Sequence, residues 1–196
     1  MNPQSNPDSR YIHDMFEHLA PRYDLFNHLT SFGLATGWRR EALKPLKPGM
    51  RVLDLGCGTG DLAIDAIKKI GSSGEVIGLD FSEYAIREAK RKSNELLSQF
   101  LRFGFSCHFH YFLSDLEARL PFTDNTFTKI CCSLVVSYVN DGVSVLKELM
   151  RVLSPGGQAV VTSLKPYNDL SLIYRNFVDV AETEEEIVEE IGRAHV

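Results

Sequence analysis

The stretch Val52-Leu-Asp-Leu-Gly-Cys-Gly-Thr-Gly60 decides the fold. Arg51 to Leu55 is a short run, apolar apart from Arg51 and Asp54, that stops at glycine; it reads as a buried strand. Gly56, Gly58 and Gly60 come next and let the backbone take positive φ and approach a ligand closely. Leu62, Ala63, Ala66, Ile67 and Ile70 then recur at helical spacing, so a helix runs from Asp61 to Ile70 with free N–H groups at its start. Gly71-Ser-Ser-Gly74 ends it, and Glu75 to Asp80 reads as a second buried strand. Ser82 is placed to cap a long helix that continues through Glu83, Ala85, Ile86 and Ala89. Further along, Cys107–Leu113, Phe127–Val136 and Gln158–Leu164 read as strands. Asp141–Leu153 reads as a helix with Val145, Leu146, Leu149 and Val152 on one face, and Pro121–Asn125 and Ser154–Gly157 read as turns.

Strands that alternate with helices predict an α/β fold: a Rossmann-like, mostly parallel sheet with flanking helices and right-handed crossovers. Ligands of such sheets sit beyond the carboxyl ends of the strands, so the useful residues should follow Leu55, Leu79, Leu113, Cys132 and Val161. The glycine spacing is G-x-G-x-G, whereas a dinucleotide fold wants G-x-G-x-x-G. Asp54, two residues ahead of the loop, would repel a pyrophosphate. It suits a ligand with positive charge, such as the sulfonium and amino groups of S-adenosylmethionine. Asp80 ends the second strand twenty positions after Gly60, where a carboxylate can accept from both ribose hydroxyls. Asp115 follows the third strand and could accept from an adenine amino group; Ser133 lies in the carboxyl half of the fourth. A surface turn for Asp115 and a packed hydroxyl for Ser133 are the plainer readings.

Composition bounds the rest. The chain has 196 residues, 44% hydrophobic and 24% charged, which suits one globular domain and excludes wholesale disorder. The net charge of −5 resides in a tail: residues 181–196 hold six glutamates and one arginine, leaving twenty basic and twenty acidic residues before them. That balance lacks the footprint of a nucleic-acid binder. Arg87, Lys90, Arg91 and Lys92 form the tightest basic cluster and read as a solvated helix face. No apolar run approaches the length of a membrane span, and the N-terminus MNPQSNPDSR is not a secretory signal. Cys57, Cys107, Cys131 and Cys132 form no CxxC pair, so they read as reduced thiols of a cytoplasmic protein, the last three as packing residues, with no metal expected. Adjacent Cys131 and Cys132 should face opposite sides of a strand.

These residues resemble those of a class I S-adenosylmethionine-dependent methyltransferase, and beyond that the ubiquinone/menaquinone C-methyltransferase family. The resemblance covers about residues 13–178. Its most specific part is the N-terminal block: Met15-Phe-Glu-His-Leu-Ala-Pro-Arg-Tyr-Asp24, Asn27-His-Leu-Thr-Ser-Phe-Gly-Leu34 and Trp38-Arg-Arg40. It extends through Asp54–Leu62, Leu79-Asp-Phe-Ser82, Leu120–Phe127 and Arg151–Gly157. It implies S-adenosylmethionine as cofactor, touched by Thr59, Asp80, the Asp115–Leu116 pair and Ser133; with Asp54, Gly56, Gly58, Gly60 and Phe81 these make the expected cofactor site. The segment before Leu120 is one residue longer than the family's. One departure stands out: where the family carries phenylalanine-glycine-leucine-arginine-asparagine near its substrate, this chain has Leu134-Val-Val-Ser-Tyr138.

The implied reaction is C-methylation of a prenylated quinol, a lipophilic small-molecule acceptor. In-line placement of ring carbon and methyl supplies most of the rate, and a base helps by removing a phenolic proton. Tyr23, His28, Tyr138 and Tyr174 are candidate bases by type, and the sequence does not choose among them. Residues 1–48 are expected to form a helical cap or substrate lid, with Ile12, Met15, Phe16 and Leu19 on an apolar face that could touch a membrane surface. Residues 49–180 form the cofactor domain and 181–196 an acidic tail. The family continues into two further strands, so the chain reads as C-terminally truncated, with about residues 190–196 resembling translated sequencing adaptor. The alternatives are the same fold acting on another small molecule, a nicotinamide-dependent oxidoreductase, or a cofactor-binding fragment without catalysis.

Overall fold

The computed structural model describes residues 34–104, 106–133 and 135–162. The elements run α1 (Leu34–Ala42), β1 (Arg51–Leu55), α2 (Asp61–Ile70), β2 (Glu75–Asp80), α3 (Glu83–Leu101), β3 (His108–Leu113), β4 (Phe127–Ser133), a 3-10 turn (Val135–Ser137), α4 (Gly142–Val152) and β5 (Leu153–Thr162). All neighbouring strands pair parallel, in the order β3-β2-β1-β4-β5. The chain builds outward from β1 to β3 and then returns to lay β4 on the other side of β1. That reversal opens a crevice at the carboxyl ends of β1 and β4. The expected α/β architecture is therefore present.

Each face of the sheet owns a separate apolar layer. Val52, Val76, Tyr111 and Cys131 point to the side covered by Ala63, Ile67 and Ala89, and by Leu43 and Leu46 ahead of β1. Leu53, Leu55, Leu79, Ile130 and Cys132 point to the side covered by Leu146, Leu149 and Val152 of α4. Adjacent Cys131 and Cys132 thus face opposite ways, as strand alternation requires. All four cysteines are free and buried. Ser82 caps α3 by accepting from Ala85 N at 3.2 Å, and Asp141 caps α4 by accepting from Ser144 N at 2.9 Å.

Two boundaries differ from expectation. β4 stops at Ser133 and passes into the 3-10 turn, so Val135 and Val136 pack as a turn against the α4 layer instead of extending the strand. Ser154–Gly157 is not a turn ahead of β5 but an irregularity within it. Phe127 pairs with Leu153 and Lys129 with Gln158, so residues 154–157 bulge out of the ladder with Gly156 at φ 75°. Among the described residues, no helix is long and apolar enough to cross a membrane.

Candidate active site

The glycine loop leaves β1 and turns under the end of β2. Leu79 O accepts from both Gly56 N (2.8 Å) and Cys57 N (2.9 Å), and Gly60 N closes the turn onto Cys57 O (3.0 Å). Gly56, Gly58 and Gly60 have φ of 70°, 51° and 85°, a left-handed run that side chains resist. A Cβ on Gly56 would lie 2.2 Å from Val135 Cγ2, and one on Gly60 2.9 Å from Ala89 Cβ. The loop therefore needs glycine twice over, for its torsions and for its neighbours.

Asp80 closes the loop from above. Its Oδ2 accepts from Gly58 N at 2.8 Å and its Oδ1 from Ser82 N at 2.9 Å. One carboxylate thus joins the ends of β1 and β2. Thr59 is buried, and its Oγ1 accepts from Lys92 Nζ at 2.9 Å. Asp54 lies beneath the loop, 2% exposed, beside Gly78 and Cys131 in the ladder. Its carboxylate accepts the Ala63 backbone N–H in the first turn of α2. Its Oδ2 has no hydrogen-bond partner among the described residues. Burial, and then the negative charge of Asp80, push its pKa from 3.8 up to about 7.

The remaining expected residues spread along the strand ends. Phe81 follows Asp80 and packs against the α4-side layer. Asp115 is exposed, and its Oδ1 accepts from Glu117 N at 2.9 Å. Leu116 is buried with the α4-side layer, its Cδ1 3.8 Å from where a Gly56 Cβ would stand. Ser133 ends β4 and shares a 3.0 Å hydrogen bond with Thr162 of β5. Of the candidate bases, Tyr138 is 38% exposed in the segment joining β4 to α4; Tyr23, His28 and Tyr174 lie outside the described residues.

Three residues escaped the sequence reading. Lys92, assigned to a solvated face, is instead half-buried and donates to Thr59 and to Asp61 Oδ1 (3.0 Å). Its spacing of three from Ala89 was the available signal, since buried Ala85, Ile86, Ala89 and Ser93 mark the inner face of α3. Val135 fills the space that Gly56 leaves. Lys129 is wholly buried in β4, and its Nζ has no hydrogen-bond partner among the described residues.

Solved structures share this architecture. The chain superposes on a SAM dependent methyltransferase from Aquifex aeolicus with a TM-score of 0.56 at 24% identity, over 86% of this chain and 79% of that one. It superposes on the cyclase SpnF with a TM-score of 0.63 at 21% identity, over 86% and 64% of the two chains. Likeness at that distance is of fold alone. The sequence is more particular: the model of the ubiE/COQ5 methyltransferase family matches residues 4–180, and the chain belongs to that family. The demethylmenaquinone methyltransferase of Lactobacillus johnsonii is 38% identical over 165 residues, 81% of this chain and 63% of that one. The chain spans 60–63% of the length of such curated relatives.

Proposed function

We propose that this chain holds the cofactor site of an S-adenosylmethionine-dependent methyltransferase that C-methylates a prenylated quinol. The observation that carries the reading is the buried Asp54 Oδ2, without a hydrogen-bond partner among the described residues, beneath a glycine cradle hooked to Asp80. A buried acceptor without a partner costs free energy, so its retention asks for a ligand. A cationic ligand seated on the loop would give Asp54 its counter-charge, and Asp80 stands where ribose hydroxyls would lie. A pyrophosphate would meet two carboxylates there, which speaks against a nicotinamide cofactor. When bound, S-adenosylmethionine supplies an electrophilic methyl group. The chain's part is to hold it in line with the acceptor carbon, with the loop excluding water. By this reading Asp54, Gly56, Gly58, Thr59, Gly60, Asp80 and Phe81 form the cofactor's bed, and Asp115, Leu116 and Ser133 its rim.

The quinol acceptor rests on family membership and on the names of its relatives. Residues 1–48 as a lid, 49–180 as the cofactor domain, an acidic tail, a cytoplasmic location and peripheral membrane contact belong to the same proposal. Leu134–Tyr138 favours a second reading, in which the same machinery serves a different small molecule. The test is to incubate the chain with methyl-labelled S-adenosylmethionine and demethylmenaquinol and to look for label on the ring. Labelled product, absent with Asp80→Ala, supports the whole reading. Cofactor binding by calorimetry without transfer to any quinol would overturn the acceptor and leave the cofactor standing.

A further inference from the structure

We infer that Lys92 is a positioning residue: through Thr59 it sets the end of the glycine loop that receives the anionic, carboxylate end of the cofactor. The inference rests on the cofactor reading above. Lys92 stands at the rim of the buried face of α3, and its ammonium bridges Thr59 Oγ1 (2.9 Å) in the loop and Asp61 Oδ1 (3.0 Å) at the first residue of α2. Arg39 of α1 lies 3.6 Å from the other oxygen of Asp61, so three helices converge on one carboxylate. An ammonium only donates. Thr59 Oγ1 must therefore accept from Lys92, which turns the hydroxyl hydrogen away from α3 and makes Thr59 a donor to whatever it faces.

The loop is consequently polar along its length. Asp54 and Asp80 put acceptors at one end, while the Thr59 end, where the Lys92 ammonium is shared with Asp61, presents donors from Lys92 and the start of α2. An amino-acid moiety carries both charges, and this polarity fixes which way round it lies. Gly60, the residue before α2, offers no side-chain cap, so Lys92 adds a side-chain tie to a turn otherwise closed by Gly60 N on Cys57 O and by Asp80 on Gly58 N. Neighbouring Arg91 shows the contrast: it pairs with Glu88 and Glu95 on the exposed side of α3 and reaches nothing in the loop.

The test is calorimetry on the full 196-residue chain with two probes. S-adenosylhomocysteine carries the amino-acid carboxylate; 5′-methylthioadenosine lacks it. Lys92→Met should weaken S-adenosylhomocysteine about tenfold and leave methylthioadenosine within about twofold, the scale of one lost charge-assisted contact. In a Thr59→Val background the same substitution should cost little more, because Lys92 acts through Thr59. Lys92→Arg, which keeps charge and donors, should restore most of the loss. Equal weakening of both probes, or full additivity with Thr59→Val, would reduce Lys92 to a structural strut and overturn the assignment. Should circular dichroism show Lys92→Met unfolded, Lys92→Gln is read in its place against the same two probes. A wild-type chain that binds S-adenosylhomocysteine, with Lys92→Met binding equally well, overturns the assignment alone. A folded wild-type chain that binds neither probe overturns the cofactor reading and this inference with it.

Discussion

Asp54 and Lys129 stand one strand apart on the same face of the sheet, oppositely charged and both buried, yet they are not partners. In the ladder Asp54 faces Cys131 and Lys129 faces Val52, which sets the two ionisable residues diagonally across β1 and β4. Burial pushes Asp54 up and Lys129 down, each toward its neutral form. A mutual salt bridge would have offset both penalties. The difference lies in what each is near. Asp54 sits under the glycine loop at the carboxyl end of the sheet, where a cationic ligand can complete it. Lys129 sits toward the amino end, level with Val52 in the ladder, and nothing among the described residues explains its retention. The pair teaches that an unsatisfied buried charge speaks for function only where a ligand can reach it.

The strongest way to break this comparison is Asp54→Asn. It should weaken S-adenosylmethionine about a hundredfold while raising the melting temperature of the ligand-free chain at pH 8, because a buried charge is exchanged for a neutral amide. Unchanged affinity in calorimetry would place Asp54 with Lys129 as a mere burial cost. Next in size, Lys129→Met should stabilise the chain by about 2 kcal/mol at neutral pH, with cofactor affinity within about twofold of wild type. A lower melting temperature would show that the buried amine supports something after all.

Their pH signatures should also run in opposite directions. The folded chain keeps the Asp54 carboxyl protonated up to about pH 7, while the unfolded chain ionises it near 3.8. The folded state then binds more protons across that window, so this residue makes stability fall as pH rises through it. Lys129 keeps its proton up to about 10.5 when unfolded and releases it earlier when folded, so it makes stability rise with pH on the alkaline side. Denaturant titrations of wild type, Asp54→Asn and Lys129→Met against pH check both signs. Each variant should flatten its own limb and leave the other. Smallest of all, the double variant should be additive within about 0.5 kcal/mol, since the two groups do not pair.

Sequence reading recovered the elements whose logic is local. Arg51–Leu55 with its glycines, and Glu75–Asp80 ending in an acid, could be read because strand length, glycine torsion and strand-end position are written in consecutive residues. It failed where a partner strand or helix decides. Ser154-Pro-Gly-Gly157 has the chemistry of a turn, but Leu153 already pairs with Phe127, so the same residues become a bulge inside β5. Lys92 has the chemistry of a surface cation, but the packing of α3 over the glycine loop brings it to Thr59. Lys129 lies in an apolar run whose strand character was plain; that its own side chain is buried follows only from pairing with β1 and β5.

The methyl group of Val135 that occupies the missing side chain of Gly56 joins two residues that sequence keeps 79 positions apart. One cradles the proposed cofactor; the other begins the 3-10 turn Val135–Ser137 that leads to Tyr138. They share a wall, so neither can drift alone: a bulkier residue at 135 would press on the cradle, and a smaller one would open a void behind it. A lineage that retunes this cleft for a different acceptor must do so with residue 135 nearly fixed. Its freedom lies further along the segment, toward the exposed ring of Tyr138.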